Sequence, residues 1–173
     1  ERGYFYESWN KKGWEDIGDK LGIKFRNFVQ DNQSFSKKGI LRGLHYQIPP
    51  FAQGKLIRCI KGEIFDVAVD IRKNSKTFAQ WVGVHLNSSN HHQFWIPEGF
   101  AHGFLALENT NLVIYKTTEF WDKEFERSLN WNDDSLNINW PIKNIQNKKE
   151  IYLSPKDKSA PYLNQISCDN LFQ

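Results

Sequence analysis

Four segments of this 173-residue chain carry side chains that could move protons or bind a small anionic ligand. They are Gly39 to Gln47, with Arg42 and His45 around Gly43; Gln53 to Lys55; Trp95 to Gly103, with His102; and Tyr115 to Thr118. A single histidine in a strand is more often structural than catalytic, because its ring easily finds one partner. Four such segments in a small chain favour another interpretation, in which these groups converge in one concave small-molecule site.

Short strands must position these segments. From about Ile40 to Thr118, apolar runs alternate with Gly, Pro, Asn and Ser. Turn signals recur about every 8 to 12 residues, as in a sandwich, barrel or jelly roll. Between Ile64 and Val69, the alternation places Phe65 and its apolar neighbours on one face and Asp66 on the other. The pattern predicts an all-β fold.

The remaining sequence adds little regular structure to this β region. Helix is predicted only near Trp14 to Lys20 and in the tail, and the polar stretch Lys143 to Glu150 is typical of a surface loop. The sequence contains no repeat or linker, and its length matches the roughly 100 to 200 residues of an ordinary domain. Residues 1–173 are therefore expected to form a single domain.

Composition argues against several classes of function. The net charge is only +3 and the basic residues are scattered, so nucleic acid is not an expected partner. The longest apolar runs are four residues, against the ~20 of a membrane helix, so no membrane association is expected. Cys59 and Cys168 fit neither a disulfide framework nor a zinc module, which favours the cytoplasm. The chain opens without Met or a signal-like leader, and we expect an N-terminal piece to be missing.

A metal site is the first hypothesis that the motifs suggest. The spacing of Pro97, Gly99 and His102 resembles the second signature of the cupin superfamily, jelly-roll proteins in which that histidine is often a metal ligand. A metal-binding cupin also has an earlier His-x-His, because iron or manganese needs several donors around one point. Here the corresponding place reads His45-Tyr46-Gln47, and the pair His91-His92 falls in a predicted turn. We therefore predict a site without metal.

Seven motifs carry a more specific resemblance. They are Glu1 to Ser8, Phe28 to Asn32, Leu41 to His45, Gln53 to Leu56, Trp95 to Gly103, Tyr115 to Thr117 and Trp131 to Asp133. Together they are similar to the dTDP-4-dehydrorhamnose 3,5-epimerase family, over nearly the whole chain to about Pro161. Members usually begin with a further strand and loop of about twenty residues, which we expect to precede Glu1.

The resemblance implies a cupin-type jelly roll, a double-stranded β-sandwich with short peripheral helices. It also implies an isomerase that inverts C3 and C5 of dTDP-4-dehydro-6-deoxy-D-glucose through enolate intermediates. The product would be dTDP-4-dehydro-L-rhamnose, for dTDP-L-rhamnose biosynthesis. Inversion beside a ketone needs a base, a group that stabilises the enolate and an acid on the opposite face, but no cofactor.

By similarity, four residues would carry this chemistry. His45 matches the base, since imidazole can accept a proton at working pH, and Tyr115 matches the acid on the other side of the sugar ring. Lys55 matches a position near the keto oxygen, where an ammonium would offset enolate charge. Asp157 matches the carboxylate that orients the catalytic histidine.

The same resemblance implies a set of substrate-binding residues. Arg2, Arg42 and Lys156 match diphosphate contacts; Glu7, Gln30, Asp31 and Asn32 match nucleotide contacts; Lys55, His102 and Glu126 match further substrate contacts. Arginine suits phosphate because it binds two oxygens at once. Trp121 is expected either to stack on the base or to pack in the core. In this family the N-terminal part of one subunit contributes to its neighbour's site, which implies a homodimer that binds a dTDP-sugar.

Alternatives remain open at the level of sequence. Relatives with the same fold and His/Tyr pair invert one centre or move the ketone between C3 and C4, although the order of His45, Lys55 and Tyr115 favours double epimerisation. A non-catalytic sugar-nucleotide-binding cupin and a metal-dependent cupin oxygenase are alternatives from other classes. Other conspicuous residues are expected to be structural or solvent-facing: Trp81, Trp95, Trp131 and Trp140 in packing, His85, His91 and His92 in solvent, and Cys59 as a buried hydrophobe.

Overall fold

The computed structural model of the protein describes residues 2–145 and 151–173. Glu1 and most of the predicted loop Lys143 to Glu150 lie outside the described residues. The described residues contain the helices α1 (Lys11–Leu21) and α2 (Pro155–Lys158) and the strands β1 (Gln30–Ser36), β2 (Leu41–Gln47), β3 (Lys55–Lys61), β4 (Glu63–Asp70), β5 (Trp81–Asn87), β6 (Phe94–Ile96), β7 (Phe100–Ala106), β8 (Asn111–Thr117) and β9 (Glu126–Ser128). Short 3₁₀ helices at Ile142–Asn144, Leu163–Gln165 and Cys168–Asn170 lie in the C-terminal part. Among the described residues, no helix is both long and apolar enough to cross a membrane.

The strands form two antiparallel sheets. One has the order β1-β8-β3-β6 and the other the order β5-β4-β7-β2-β9. Chain neighbours such as β4 and β5 pair directly, whereas β2 pairs with β7 and β9 from distant parts of the sequence. The all-β sandwich predicted from the sequence is confirmed, with helix limited to short peripheral pieces.

Apolar residues form two cores, one on each side of the five-stranded sheet. The core between the sheets draws on strands of both; its buried members are Ile57, Cys59, Ile64, Ala68, Leu86, Ile96, Phe104 and Val113. On the outer face, Phe65, Val67 and Val69 pack under C-terminal residues that include Leu136 and Trp140. The alternation predicted for β4 is therefore correct. Burial of each large aliphatic side chain contributes about 1.5 to 3 kcal/mol, which makes the sandwich a stiff frame for side chains at its edge.

The N-terminal segment packs against the four-stranded sheet through aromatic rings. Helix α1 starts after Asn10, whose side chain accepts a hydrogen bond from Gly13 N–H, and it ends at Gly22 in the left-handed conformation. Trp14 on α1 stacks on Phe25 with ring centroids 4.1 Å apart and makes an edge contact with Trp95 of β6. The predicted helix near Trp14 is confirmed, and Trp95 has the expected packing role.

Two strands fall outside the region in which strands were predicted. In β1, Gln30, Asn32 and Ser34 face inward while the residues between them are exposed. Because these inward side chains are polar, the strand has no apolar alternation that sequence patterns could detect. Strand β9 is only three residues long and pairs with the end of β2. Both strands supply residues to the cavity.

Candidate active site

A cavity of about 470 Å³ opens between the two sheets, within the size range of small-molecule sites. Nine of the residues predicted for catalysis or binding line it: Gln30, Asn32, Arg42, His45, Lys55, His102, Tyr115, Glu126 and Asp157. They come from both sheets and from α2. The fold thus collects distant segments of the sequence around one space.

His45 and Asp157 meet at this cavity although 112 residues separate them. His45 Nε2 lies 2.5 Å from Asp157 Oδ1, and the other carboxylate oxygen accepts a hydrogen bond from Ser154 Oγ at 2.8 Å. Asp157 is 2% exposed. Burial alone would raise the pKa of Asp157, but the hydrogen bonds to His45 and Ser154 and nearby positive charge lower it below its ordinary value. The carboxylate is therefore ionised and able to stabilise a protonated imidazole.

An irregularity in β2 turns Arg42 and His45 toward the same cavity. In a regular strand, residues three apart face opposite sides of the sheet. The register of β2 against β7 shifts between these two residues, and both line the cavity. Gly43, with φ of 123°, lies so close to β7 that an added Cβ would come within 2.5 Å of Gly103 Cα. The glycine between Arg42 and His45 is thus required by the close approach of the two strands.

Lys55 and Tyr115 project into the cavity from the opposite, four-stranded sheet. Tyr115 pairs with Ile57, two residues from Lys55, so the two side chains share one face. Desolvation, partly opposed by the charges of Glu126 and Asp66, lowers the pKa of Lys55 to about 8. Burial raises the pKa of the Tyr115 phenol, which stays protonated at neutral pH. A cation and a neutral acid therefore face the His45–Asp157 pair.

His102 lies directly beside His45, and its ring makes a hydrogen bond with Asp66. The two histidines are in register between β2 and β7, and His102 Nε2 is 2.7 Å from Asp66 Oδ1. Burial lowers the pKa of His102, although the Asp66 carboxylate opposes that effect. His102 is therefore a fixed polar group of the cavity wall.

A salt bridge crosses the edge of the cavity. Lys156 Nζ on α2 lies 2.5 Å from Glu126 Oε2 on β9. Both residues were predicted to contact substrate, and Glu126 lines the cavity. Arg42 is exposed and donates hydrogen bonds to Ser36 Oγ and Phe35 O, which leave its guanidinium at the cavity mouth.

Comparison with known proteins decides the family. The sequence model of the dTDP-4-dehydrorhamnose 3,5-epimerase family matches residues 1–165. The chain belongs to this family. It is 57% identical to the dTDP-4-dehydrorhamnose 3,5-epimerase of Shigella flexneri over 145 residues, 83% of this chain and 77% of the relative. Identity to the Salmonella typhimurium enzyme of the same name is 51% over 165 residues, 95% of this chain and 85% of the relative.

A solved structure agrees with the family assignment. The dTDP-6-deoxy-D-glucose-3,5-epimerase of Legionella pneumophila, in complex with dTDP-4-keto-L-rhamnose, superposes with a TM-score of 0.91 at 49% identity. The match covers 100% of this chain and 87% of the other. The resemblance to the epimerase family, the cupin-type fold and the isomerase class expected from the sequence are confirmed, and the 3,5-epimerase prediction is favoured over its alternatives.

Three residues predicted for this epimerase site lie elsewhere in the chain's own structure. Arg2 and Glu7 are exposed in the N-terminal segment. Asp31 faces outward from β1, with Oδ2 3.4 Å from Lys116 Nζ. Because neighbouring residues of a strand point to opposite faces, Asp31 cannot line the cavity that Gln30 and Asn32 line. The binding roles of these three residues stay predictions.

Sequence reasoning left Trp121 undecided and missed three other residues. Trp121 lines the cavity and is 55% exposed, so it is not a core residue. Gln47 and Ser154 also line the cavity, and Asp66 supports it. An acid within the apolar strand β4 was a usable signal for Asp66, and the Ser-x-x-Asp spacing before a helix was one for Ser154.

The residues expected to be structural behave as predicted. The indoles of Trp81 and Trp140 donate to backbone carbonyls while their rings pack in the outer core. His85, His91 and His92 are exposed. Cys59 is buried, and burial raises the pKa of its thiol to about 11.

Across residues 2–145 and 151–173, no group of three or more His, Cys, Asp or Glu side chains is arranged to hold a metal ion.

Proposed function

We propose that the protein catalyses the reaction of its family, inverting C3 and C5 of dTDP-4-dehydro-6-deoxy-D-glucose to give dTDP-4-dehydro-L-rhamnose. One observation supports the proposal most strongly. His45, paired with Asp157, lies on one sheet and faces Lys55 and Tyr115 on the other sheet across one cavity. Inversion requires a base and an acid on opposite faces of the same carbon, and this arrangement supplies both.

His45 is the base in this proposal. The hydrogen bond from Nε2 to Asp157 places the ring proton on that nitrogen and leaves Nδ1 with the lone pair that accepts a proton. The hydrogens on C3 and C5 are acidic because each carbon is adjacent to the C4 ketone. When His45 takes one of them, the imidazolium is stabilised by the buried carboxylate of Asp157.

Lys55 and Tyr115 complete the reaction. The enolate oxygen gains negative charge as the proton leaves, and the Lys55 ammonium offsets that charge in a cavity where water screens it poorly. Tyr115 then donates its phenolic proton to the carbon from the opposite face, which inverts the centre. Before the second centre reacts, the His45 imidazolium gives its proton to water and the Tyr115 phenolate takes one from water, which restores the base and the acid. The ketone itself makes the hydrogens acidic, so we expect the reaction to need neither metal nor organic cofactor.

The nucleotide part of the substrate is proposed to bind along β1 and the cavity mouth. Arg42 and Lys156 bring positive charge for the diphosphate, and Gln30 and Asn32 offer amide groups to the nucleotide. Arg2, Glu7 and Asp31 would act in the site of a neighbouring subunit, as part of a homodimer. We expect the protein to act in the cytoplasm, where Cys59 and Cys168 remain free thiols.

The test is turnover in deuterated water without added metal or nicotinamide. The protein is incubated with dTDP-4-dehydro-6-deoxy-D-glucose, and the position and configuration of incorporated deuterium are read by mass spectrometry and NMR. Label at C3 and C5 with inverted configuration is the expected result. Label at one carbon alone would replace the proposal with a mono-epimerase, and binding of substrate without exchange would replace it with a binding protein.

A further inference from the structure

Gln47, at the end of β2, has a side-chain amide whose hydrogen bonds all go to the backbone of two loops. It is 3% exposed. Its Nε2 donates to Phe51 O at 2.6 Å and to Phe120 O at 3.0 Å, and its Oε1 accepts from Asp122 N–H at 2.7 Å. A primary amide has two N–H groups. Gln47 therefore lines the cavity but has no donor left for a ligand.

Two of these three contacts lie on either side of Trp121. Gln47 holds the carbonyl of Phe120 and the N–H of Asp122, which are the backbone groups flanking that residue. The N–H of Trp121 itself donates to Gln30 Oε1 at 3.2 Å. Backbone contacts thus fix the segment, while the indole is 55% exposed at the cavity. An exposed aromatic ring on a fixed backbone has little conformational freedom to lose when a ligand stacks on it.

The same residue joins this segment to a second loop. Phe51, which accepts the shorter bond from Gln47, contacts the ring of Phe125 with centroids 4.7 Å apart. Gln53 Nε2 also donates to Glu119 O at 2.7 Å. The loop after β2 and the segment between β8 and β9 therefore form one unit, and the buried Gln47 is at its centre.

Stacking of the nucleotide base on Trp121 belongs to the proposed function. We propose in addition that Gln47 is a positioning residue, which fixes the backbone on both sides of Trp121 and so sets the position and angle of its indole. Gln30 takes part in the same arrangement, because it lines the cavity and its Oε1 accepts the N–H of Trp121. Stacking of a base on an aromatic ring tolerates exposure to water and needs the ring at a set angle and distance. The ligand class rests on the proposed function, whereas the action of Gln47 on the loop does not.

Binding of dTDP and steady-state kinetics test the proposal in four proteins: wild type, Gln47→Met, Trp121→Ala and the double variant. Each single variant is expected to bind dTDP about tenfold more weakly and to raise KM similarly, with kcat little changed. The double variant is expected to bind no more weakly than Trp121→Ala, because Gln47 acts through that ring. Additive losses, unchanged dTDP affinity, or a loss confined to kcat would overturn the proposal.

Hydrogen exchange measured by NMR provides a readout that does not depend on turnover. The Asp122 amide is expected to exchange faster in Gln47→Met, while the remote Arg72 amide, held by Asp70 Oδ1 at 3.0 Å, keeps its wild-type rate. An Asp122 amide that exchanges at the wild-type rate in Gln47→Met would show that Gln47 does not fix this part of the backbone. If Gln47→Met does not fold, Gln47→Leu removes the same three hydrogen bonds with another uncharged side chain, and weakened dTDP binding is again expected. A wild-type protein that binds dTDP but does not epimerise the sugar would remove the proposed function and leave this inference standing.

Discussion

At the scale of single residues, Asp157 is the group whose surroundings decide the behaviour of His45. Both of its oxygens are engaged, one by His45 and the other by Ser154. Ser154→Ala removes a hydrogen bond to a charged group and is expected to lower kcat about tenfold. It also removes the N-cap of α2, which costs about 1 kcal/mol of stability.

Ser159→Ala is the matched control for this change. Ser159 lies at the other end of α2, where its hydroxyl donates to Pro155 O and does not touch Asp157. Its kcat should stay at the wild-type value. Equal activity of the two serine variants in the epimerase assay would contradict the role given to Ser154.

The lowered pKa of Lys55 leads to a prediction about how kcat/KM depends on pH in the alkaline range. Its pKa is lowered to about 8 by desolvation, so the ammonium that stabilises the enolate is lost as the pH rises through that value. We expect kcat/KM to fall above about pH 8 with this pKa, while Tyr115, whose pKa is raised by burial, remains protonated. Lys55→Arg keeps its charge and should lose this fall along with part of the activity.

Lys55 should affect stability in the opposite direction to activity: as the pH rises, activity falls but the free energy of unfolding rises. Between about pH 8 and the ordinary pKa of 10.5, the unfolded chain binds a proton that the folded chain has released. The free energy of unfolding contributed by Lys55 therefore rises with pH across this window. The free energies of unfolding of wild type and Lys55→Met, measured by denaturant titration, should therefore differ by an amount that changes with pH across this window.

The activity prediction has its own contradicting outcome. If the fall in kcat/KM above about pH 8 persists in Lys55→Arg, that fall belongs to another group.

Motifs and the resemblance to the family could predict which titratable groups line the cavity, but not the residues that support them. His45, Lys55 and Tyr115 belong to recognisable motifs, and Asp157 follows a short match near the C-terminus. Gln47 escapes prediction because its role depends on three backbone groups brought near by folding. No pattern of side chains in the sequence records where those groups will lie.

At the scale of secondary structure, the approach of β2 to β7 is the contact that brings Arg42 and His45 together. Gly43→Ala places a Cβ 2.5 Å from Gly103 Cα at a φ of 123°, so one strand must move. We expect a loss of about 2 kcal/mol or more in the free energy of unfolding, with kcat reduced as well. Denaturant unfolding and the epimerase assay measure the two effects.

Gly13→Ala is a control of the same chemical size. Gly13 lies exposed in α1, where an added Cβ meets only Asn10 Oδ1 at 3.8 Å. Alanine favours helix over glycine, so this variant should be stabilised by about 0.5 to 1 kcal/mol. Gly43→Ala protein as stable as wild type would show that the two strands do not need this close approach.

Strands could be predicted from the sequence where their inward side chains are apolar, but not where those side chains are polar and line the cavity. In β4, Phe65, Val67 and Val69 face one apolar core while Ile64 and Ala68 face the other, so the strand stands out in the sequence as a mostly apolar run. In β1, the inward residues Gln30, Asn32 and Ser34 face a polar cavity. A strand that lines a binding site loses the apolar alternation by which strands are recognised.

At the scale of the whole molecule, the proposed homodimer makes a prediction about mixed subunits. If the N-terminal residues of one chain act in the site of the other, a His45→Ala chain can support a chain that carries Arg2→Ala and Glu7→Ala. Each mixed dimer then has one intact site. Co-expression at equal levels should restore about a quarter of wild-type activity, because about half of the dimers are mixed.

Each parent homodimer must be nearly inactive for this comparison, and size-exclusion chromatography with light scattering should give the mass of a dimer. Activity of the mixture no greater than that of its parents would contradict exchange of N-terminal segments. A monomeric mass would contradict the dimer itself. The fold class could be predicted from turn spacing, but nothing in the period of the strands specifies how two copies meet.

The measurement that tests the central claim most directly is deuterium exchange and stereochemistry in two variants. With dTDP-4-dehydro-6-deoxy-D-glucose in deuterated water, His45→Ala should exchange neither C3 nor C5, because no base remains. Tyr115→Phe should still exchange hydrogen at these carbons but return the proton without inversion. If His45→Ala exchanges at the wild-type rate, or if Tyr115→Phe inverts both centres normally, the acid and base are not the residues that face each other across this cavity.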